Sequence, residues 1–297
     1  MDTYLIEKIK NENKKKSLLS ASIVAFNNII IPWVFILFAC WMTTINAFFY
    51  VFFPFISFYI GTRFRAINNM SHECIHFSYC SSRKINDFFG EIFAVAEFSK
   101  FKLIRKEHLT HHKYLGDMER DMDFSSIRKY GLHKKMTQRR VVRHISQALM
   151  LKQIKDTFFF ILYDKEAPHW ANILRGLYIA ILILLCFHFP LWFFFFFILP
   201  YCYFYQVQKH LTDVLDHGGL LNNDIPVDKS RNFIIKNRIL SHLLMPRFDG
   251  YHLVHHLLPW VSVENHKKAH MIMMENNEYK SKEHYAFQQL KGWFNEK

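Results

Sequence analysis

The sequence predicts an all-α integral membrane protein, with four transmembrane helices in two hairpins and an inner-side helical cap holding a metal site. Three observations lead there. The apolar residues fall in long uncharged blocks, rich in the 32 Phe of a chain that is 18% aromatic. The basic residues, which give a net charge of +13, avoid those blocks and crowd the segments between them, the pattern of a positive-inside membrane protein. Gly and Pro number only 9 and 8, which argues against a linker-rich or disordered chain. Residues 1–297 therefore read as one membrane domain. Nucleic-acid binding is a poor account of the charge, because the basic residues simply frame the apolar blocks.

The elements follow in order. Residues 1–16 are polar and basic, and an uncharged block then runs over about 18–41. It is too long for a signal-peptide core and lacks a small-residue cleavage site, so it reads as a retained span. A second block covers about 45–60. The turn between them, Met42-Thr43-Thr44, carries no Lys or Arg, which puts it on the outer side. Residues 62–170 form a long polar stretch, in which Ile85–Phe98 reads as a helix lying at the interface. From Arg128 to Lys155 the chain is strongly basic and includes Arg139, Arg140 and Arg143. That stretch suits anionic lipid head groups or, alternatively, an acidic electron-transfer partner. A second hairpin spans about 173–189 and 191–205, turning at Pro190. These helices read as nearly free of ionisable groups, with His188 the exception, which disfavours a transporter. Four crossings bring both termini and every polar segment to one, inner side.

Three histidine clusters lie in those segments: His72/His76, His108/His111/His112 and His252/His255/His256. Positions i, i+3 and i+4 share a helix face, so each cluster aims its imidazoles at a common point. With eighteen histidines in 297 residues, chance supplies an H-x-x-H-H pattern only about 0.07 times per chain, and here it occurs twice. Imidazole suits Fe, Zn, Cu and Ni, and eight are too many for one ion but reasonable for two. Acidic residues stand close by at Glu73, Glu107, Asp117, Asp121, Asp123 and Asp216. Such groups usually accept the second N–H of a ligating histidine. His266 and His270 form a further pair, on a Lys-rich segment that reads as a solvated helix face. His133, His144, His169, His242 and His284 have no partner at ligand spacing. The five cysteines are odd in number and lack a C-x-x-C pair, so no disulfide framework is expected, and Cys74 reads as a packed thiol.

The three clusters on paired membrane hairpins resemble the membrane fatty-acid desaturase superfamily. Gly250-Tyr251-His252, Pro259, Gly116-Asp117 and Arg120-Asp121 add to the likeness. The resemblance implies a further ligand at His217, hence nine histidines for two Fe ions. It also places Asp213 near the metals, directly or through water, with His210 a weaker candidate. The implied reaction is O₂-dependent removal of two hydrogens from an acyl chain, carried by a lipid or a thioester. No cytochrome b5-like segment is seen, so electrons are expected from a separate ferredoxin- or cytochrome b5-type donor. With no fused donor and no dilysine-type tail, a bacterial inner membrane is favoured over the ER, with termini and histidine clusters cytoplasmic. The spacing of the first box also occurs in related hydroxylases and ketolases, so the resemblance leaves that outcome open. A rival lies in the same residues: His72-Glu73-Cys74-Ile75-His76 fits the zinc-protease motif H-E-x-x-H. There Glu73 would be the general base and Asp249, in Phe248-Asp249-Gly250, the third ligand. That reading leaves six box histidines without a task.

Overall fold

The structure is a computed structural model that describes residues 2–117, 119–123 and 129–295. Among these the chain is helical, with no named strand and one isolated bridge between Ile234 and Tyr285. Arg128, the first residue of the basic stretch, lies outside the described residues.

Four helices are long and apolar enough to cross a membrane. The first, α2, covers Leu18–Ile45 and follows a short amphipathic helix α1, Thr3–Glu12. The polar first sixteen residues are thus not a loose tail: Leu5 and Ile9 of α1 pack against Leu253, Ala269 and Ile272. The turn expected at Met42–Thr44 lies inside α2, because nothing there breaks the helix; the chain leaves it at Asn46, and a 3-10 segment, Ala47–Phe52, leads into α3, Phe53–Ile75. It does not stop where its apolar block ends near Ile60, because no proline interrupts it, and so it carries His72 in its last turn. Helix α4, Arg83–Ala96, packs against α3, and α5, Phe101–Tyr114, follows. Then come α6, Gln138–Leu149, and the third long helix α7, His169–His188. The fourth, α8, is continuous over Pro190–His217. Here too the helix outruns its apolar block, and its final residue is His217.

The α8 segment Phe194–Tyr205 is wound as a π-helix around Pro200. Proline has no N–H to give, and a wider turn accommodates the missing bond. Gly61 of α3 sits against that segment. A Cβ there would lie 2.5 Å from Phe204 Cβ and 3.2 Å from the Pro200 carbonyl, so only glycine lets the two helices approach this closely. Around the contact, Phe53, Phe64, Phe196, Tyr201 and Tyr205 form an aromatic core with Leu182 of α7. Many of the phenylalanines face outward instead, Phe55 at 71% and Phe187 at 85% exposed, as lipid-facing residues would.

One sequence expectation needs correction. Arg175 lies inside the predicted third span, yet it is fully buried and donates to the carbonyls of Ile161 and Ser99. An ionised side chain is tolerated there because carbonyl oxygens meet it near the helix start.

The C-terminal third closes over the ends of α3 and α8. It holds α9, Arg238–Leu244, α10, His252–Leu257, α11, His266–Met273, and α12, Ala286–Asn295. Before α10 the backbone of Arg247 and Phe248 is left-handed, with φ of 62° and 60°, a cost that non-glycine residues bear only when their surroundings hold them. A buried ion cluster does the holding. Arg247 donates to Glu73 at 2.7 and 2.8 Å and to Glu264 at 2.8 Å. Lys16, just ahead of α2, reaches Glu264 at 2.6 Å and Glu73 at 3.4 Å. Two cations meet two anions, so the cluster is neutral as a whole. It ties the end of α3 to the start of α2 and to the turn preceding α10.

Removing one partner from such a cluster leaves an uncompensated buried charge. Arg247→Met should therefore cost about 3–5 kcal/mol, seen as a lower melting temperature. Combining it with Glu73→Leu should recover part of that loss, since Lys16 and Glu264 remain as a neutral pair. Strictly additive losses would contradict this account.

Candidate metal centre

Each histidine reaches the centre from a different element. His72 lies in the last turn of α3 and His76 is its C-cap. His108, His111 and His112 share one face of α5, His217 ends α8, and His252, His255 and His256 lie on the two turns of α10. The three boxes and His217 converge. His72, His76, His108, His112 and His255 present ring nitrogens that all lie within 4.8 Å of one another, and so do His111, His217 and His256. His252 joins the second group, its Nε2 standing 2.9 Å from Nε2 of both His217 and His256. The two groups adjoin, since the rings of His112 and His256 stack with centroids 4.4 Å apart.

The Nε2 atoms of neighbouring rings face each other: His72 and His108 at 2.7 Å, His112 and His255 at 2.9 Å, His111 and His217 at 3.3 Å. Two nitrogens at right angles around a metal, each at roughly 2.1 Å, are about 3 Å apart. The spacing is that of ligands around a shared ion.

The outer nitrogens decide the tautomers. His111 Nδ1 donates to Asp121 at 3.1 Å, His217 Nδ1 to the Lys229 carbonyl at 3.0 Å, and His252 Nδ1 faces Asp216 at 3.2 Å. A neutral ring that donates through Nδ1 carries a lone pair on Nε2. When all three rings are neutral, three such lone pairs point at one another, and this repulsive arrangement is relieved by a cation at their centre. In the other group, His76 Nε2 is buried without a hydrogen-bond partner. Both observations fit a metal at each group.

Electrostatics point the same way. Burial first, then Arg105, holds His76 at about 3, and burial, then His76 and His111, holds His112 at about 2. Burial likewise keeps His108, His252, His255 and His256 well below 6.5, so these rings are neutral and able to ligate at ordinary pH. His111 is the exception. Burial lowers it, but the hydrogen bond and charge of Asp121 outweigh that and raise it. Asp121 is itself buried and placed to balance positive charge at that ring.

The remaining sequence candidates divide. Asp121 and Asp216 sit behind histidines, whereas Glu107 and Asp213 line a cavity beside the centre. Glu73 points into the ion cluster and touches Arg247 and Lys16. Asp249 is likewise engaged, with Arg65 at 2.8 Å. The zinc-protease reading needs Glu73 as a free base and Asp249 as a ligand, and both carboxylates have cationic partners instead. His210 lies apart, against His144 and Tyr130. His266 and His270 do not form a solvated face: they are 3% and 2% exposed. The lysines beside them, Lys267 and Lys268, face out, while the His270 ring bonds the Tyr279 hydroxyl at 2.8 Å. Cys74 packs in the core between α2, α3 and α4. Sequence reasoning missed the Lys229 carbonyl behind His217 and the Arg65–Asp249 pair. A backbone acceptor leaves no mark in a sequence.

Two outcomes are expected. Asp121→Asn should weaken metal binding about 10–100-fold, measured by competition with a chelator, with little change in helix content. In the metal-stripped protein, the depressed histidines bind fewer protons folded than unfolded from pH 6.5 down toward their values of about 2 and 3. The contribution of these histidines to stability should therefore fall as pH drops below 6.5, opposed by His111 and by buried carboxyls such as Glu97 and Glu91, which burial raises to about 7 and about 6. Melting temperatures at descending pH, wild type beside His76→Phe, check this: the wild type should lose more on acidification, and an equal or smaller loss would contradict it.

A sequence profile of fatty acid desaturases matches residues 47–288, which takes in all four histidine-bearing segments. The chain is also similar to dihydrorhizobitoxine desaturase of Bradyrhizobium elkanii, 24% identical over 273 residues, covering 81% of this chain and 73% of that one. With the profile spanning most of the sequence and the boxes drawn into one centre, the chain belongs to the fatty acid desaturase family.

Proposed function

We propose that this protein is an O₂-dependent di-iron membrane desaturase that introduces a double bond into a fatty acyl chain. The observation that carries this is the pair of adjoining histidine groups whose Nε2 atoms face one another. His72, His76, His108, His112 and His255 would hold one ion, and His111, His217, His252 and His256 the other. When bound, iron supplies the capacity to activate O₂ and take two hydrogens from adjacent carbons, with two further electrons and two protons completing two waters.

The chain's own residues do the rest. Asp121, Asp216 and the Lys229 carbonyl orient His111, His252 and His217 through their outer nitrogens. The Lys16–Glu73–Arg247–Glu264 cluster fixes α10 against the end of α3. Asp213 and Glu107, on the cavity wall, stand where a water-mediated contact to the centre can form. The substrate is an acyl lipid or acyl thioester, and the electrons come from a donor of ferredoxin or cytochrome b5 type.

In this reading α2 with α3, and α7 with α8, form two hairpins across a bacterial inner membrane. The turns at Asn46 and Pro190 carry no Lys or Arg, which supports an outer position for both. The cap and its histidines are then cytoplasmic. The basic face of α6, with Arg139 and Arg143 beside exposed Val142 and Leu149, suits anionic lipid at that surface.

The test is metal content per chain in gently purified protein, wild type beside His255→Ala. Two metals, chiefly iron, falling in the variant together with loss of turnover, are expected. Two zinc ions would keep the site and change the assigned metal. A single zinc untouched by His255→Ala would overturn the proposal.

A further inference from the structure

Two cavities differ in what they touch. An apolar one of about 660 Å³ lies among the long helices and is lined by residues such as Ile36, Leu182 and Phe193. It reaches none of the histidines of the metal centre. A second, of about 240 Å³, is the one bounded by His72, His108, His111, His217 and His252. Its wall is polar. The part-exposed side is formed by Asp156, Thr157, Phe159 and Lys209, and the buried side by Arg65, Asn69, Ser71, Glu97 and Tyr205.

An ordinary hydrocarbon tail entering past the histidines would end among these buried polar groups. Several already have partners. Arg65 pairs with Asp249 and donates to Asn68 Oδ1 at 2.6 Å, and Asn68 in turn donates to Glu97 Oε2 at 2.8 Å. Tyr205 donates to the same Glu97 oxygen at 3.1 Å. The other oxygen, Glu97 Oε1, is buried with no partner, and so is Ser71 Oγ on the same wall. Both residues are more than nine-tenths buried, at 4% and 2% exposed. Burial drives the Glu97 carboxyl up to about 7, against the bonds from Asn68 and Tyr205. In either protonation state Oε1 lacks its complement: a donor when ionised, an acceptor when protonated. Covering such an atom with a methyl group forfeits a hydrogen bond that nothing else replaces.

We infer that the buried end of the cavity beside the metal centre is a subsite for a hydrogen-bonding substrate terminus, a primary ammonium or hydroxyl held by Glu97 Oε1 and Ser71 Oγ. The substrate is then a chain that is polar at the end beyond the reacting carbons rather than one ending in a methyl group. This rests on the histidine centre being the reaction site. Discrimination comes from the bonds a methyl terminus cannot make. Sites that bond a polar group reject the analogue lacking it far more strongly than apolar pockets reject a missing methylene.

The test uses full-length, iron-loaded protein in lipid nanodiscs, with iron per chain measured first and binding followed by calorimetry without turnover. The probes are dodecanoic acid, ω-hydroxydodecanoic acid and ω-aminododecanoic acid, which share one head group. The ω-amino and ω-hydroxy acids should bind roughly tenfold tighter or more than dodecanoic acid. Glu97→Leu should abolish that preference with iron per chain unchanged. Glu97→Gln keeps the shape and one acceptor, so it should retain the hydroxyl preference and lose most of the ammonium preference. This variant decides the matter if Glu97→Leu fails to fold. Dodecanoic acid binding as tightly as the other two in wild type, or a preference that survives both substitutions, would overturn the assignment. Protein that shows the preference but retains no iron would support the subsite and sink the di-iron reading instead.

Discussion

Nine converging imidazoles, eight of them with Nε2 atoms face to face, are the constraint around which this protein is built. Neutral rings at 2.7–3.3 Å gain little from one another once Asp121, Asp216 and the Lys229 carbonyl have taken their outer protons. Left to itself the arrangement would relax. It persists because each ring is carried by an element fixed elsewhere: α3 by its glycine contact with α8, α5 and α4 by the core around Phe93 and Phe101, α10 by α1 and α11. Outer-nitrogen partners and packed elements of this kind orient ligating rings and raise metal affinity.

The ion cluster of Lys16, Glu73, Arg247 and Glu264 belongs to the same logic. Glu73 is the neighbour of His72 in sequence, and Arg247 lies just before the third box. Their bond couples the registers of two ligand-bearing elements far apart in the chain. The same bond holds Arg247 in a left-handed backbone conformation. Burial would raise the Glu264 carboxyl, but Arg247 and then Lys16 outweigh it and bring it down to about 2. A glutamate that reads as a catalytic base by motif is therefore a strut by geometry. The motif H-E-x-x-H describes spacing along a helix and says nothing about what stands opposite.

The legible part of this molecule was whatever rests on local periodicity and gross hydropathy. Uncharged blocks announced the four long helices, and i, i+3, i+4 spacing announced the boxes. Hydropathy misjudged where α3 and α8 end, because a helix continues through polar residues if nothing breaks it. Those continuations matter most, since they deliver His72 and His217 into the centre. The burial of His266 and His270 was also hidden. Their Lys-rich neighbours suggested solvent, but one face of α11 packs on α1 and α10 while the lysines take the other. Arg175 escaped notice because its partners are carbonyls, and a sequence carries no record of where its backbone oxygens point.

The distribution of polarity within the interior follows from the same contrast. Family membership and the long apolar helices together suggest a hydrocarbon substrate, and the larger cavity is indeed apolar. Yet that cavity is separate from the histidines, whereas the one they border is walled by Arg65, Glu97, Ser71 and Asp213. Lipid solvation demands apolar surface on the outside of the helices, and it makes no such demand on the wall beside the metals. Buried polar atoms there cost stability unless something bonds them. Asn68 and Tyr205 account for one oxygen of Glu97 and leave the other buried without a partner, in a residue that lines the cavity. Glu97 Oε1 and Ser71 Oγ, buried without partners in two residues that line this chamber, keep hydrogen-bonding capacity beside it.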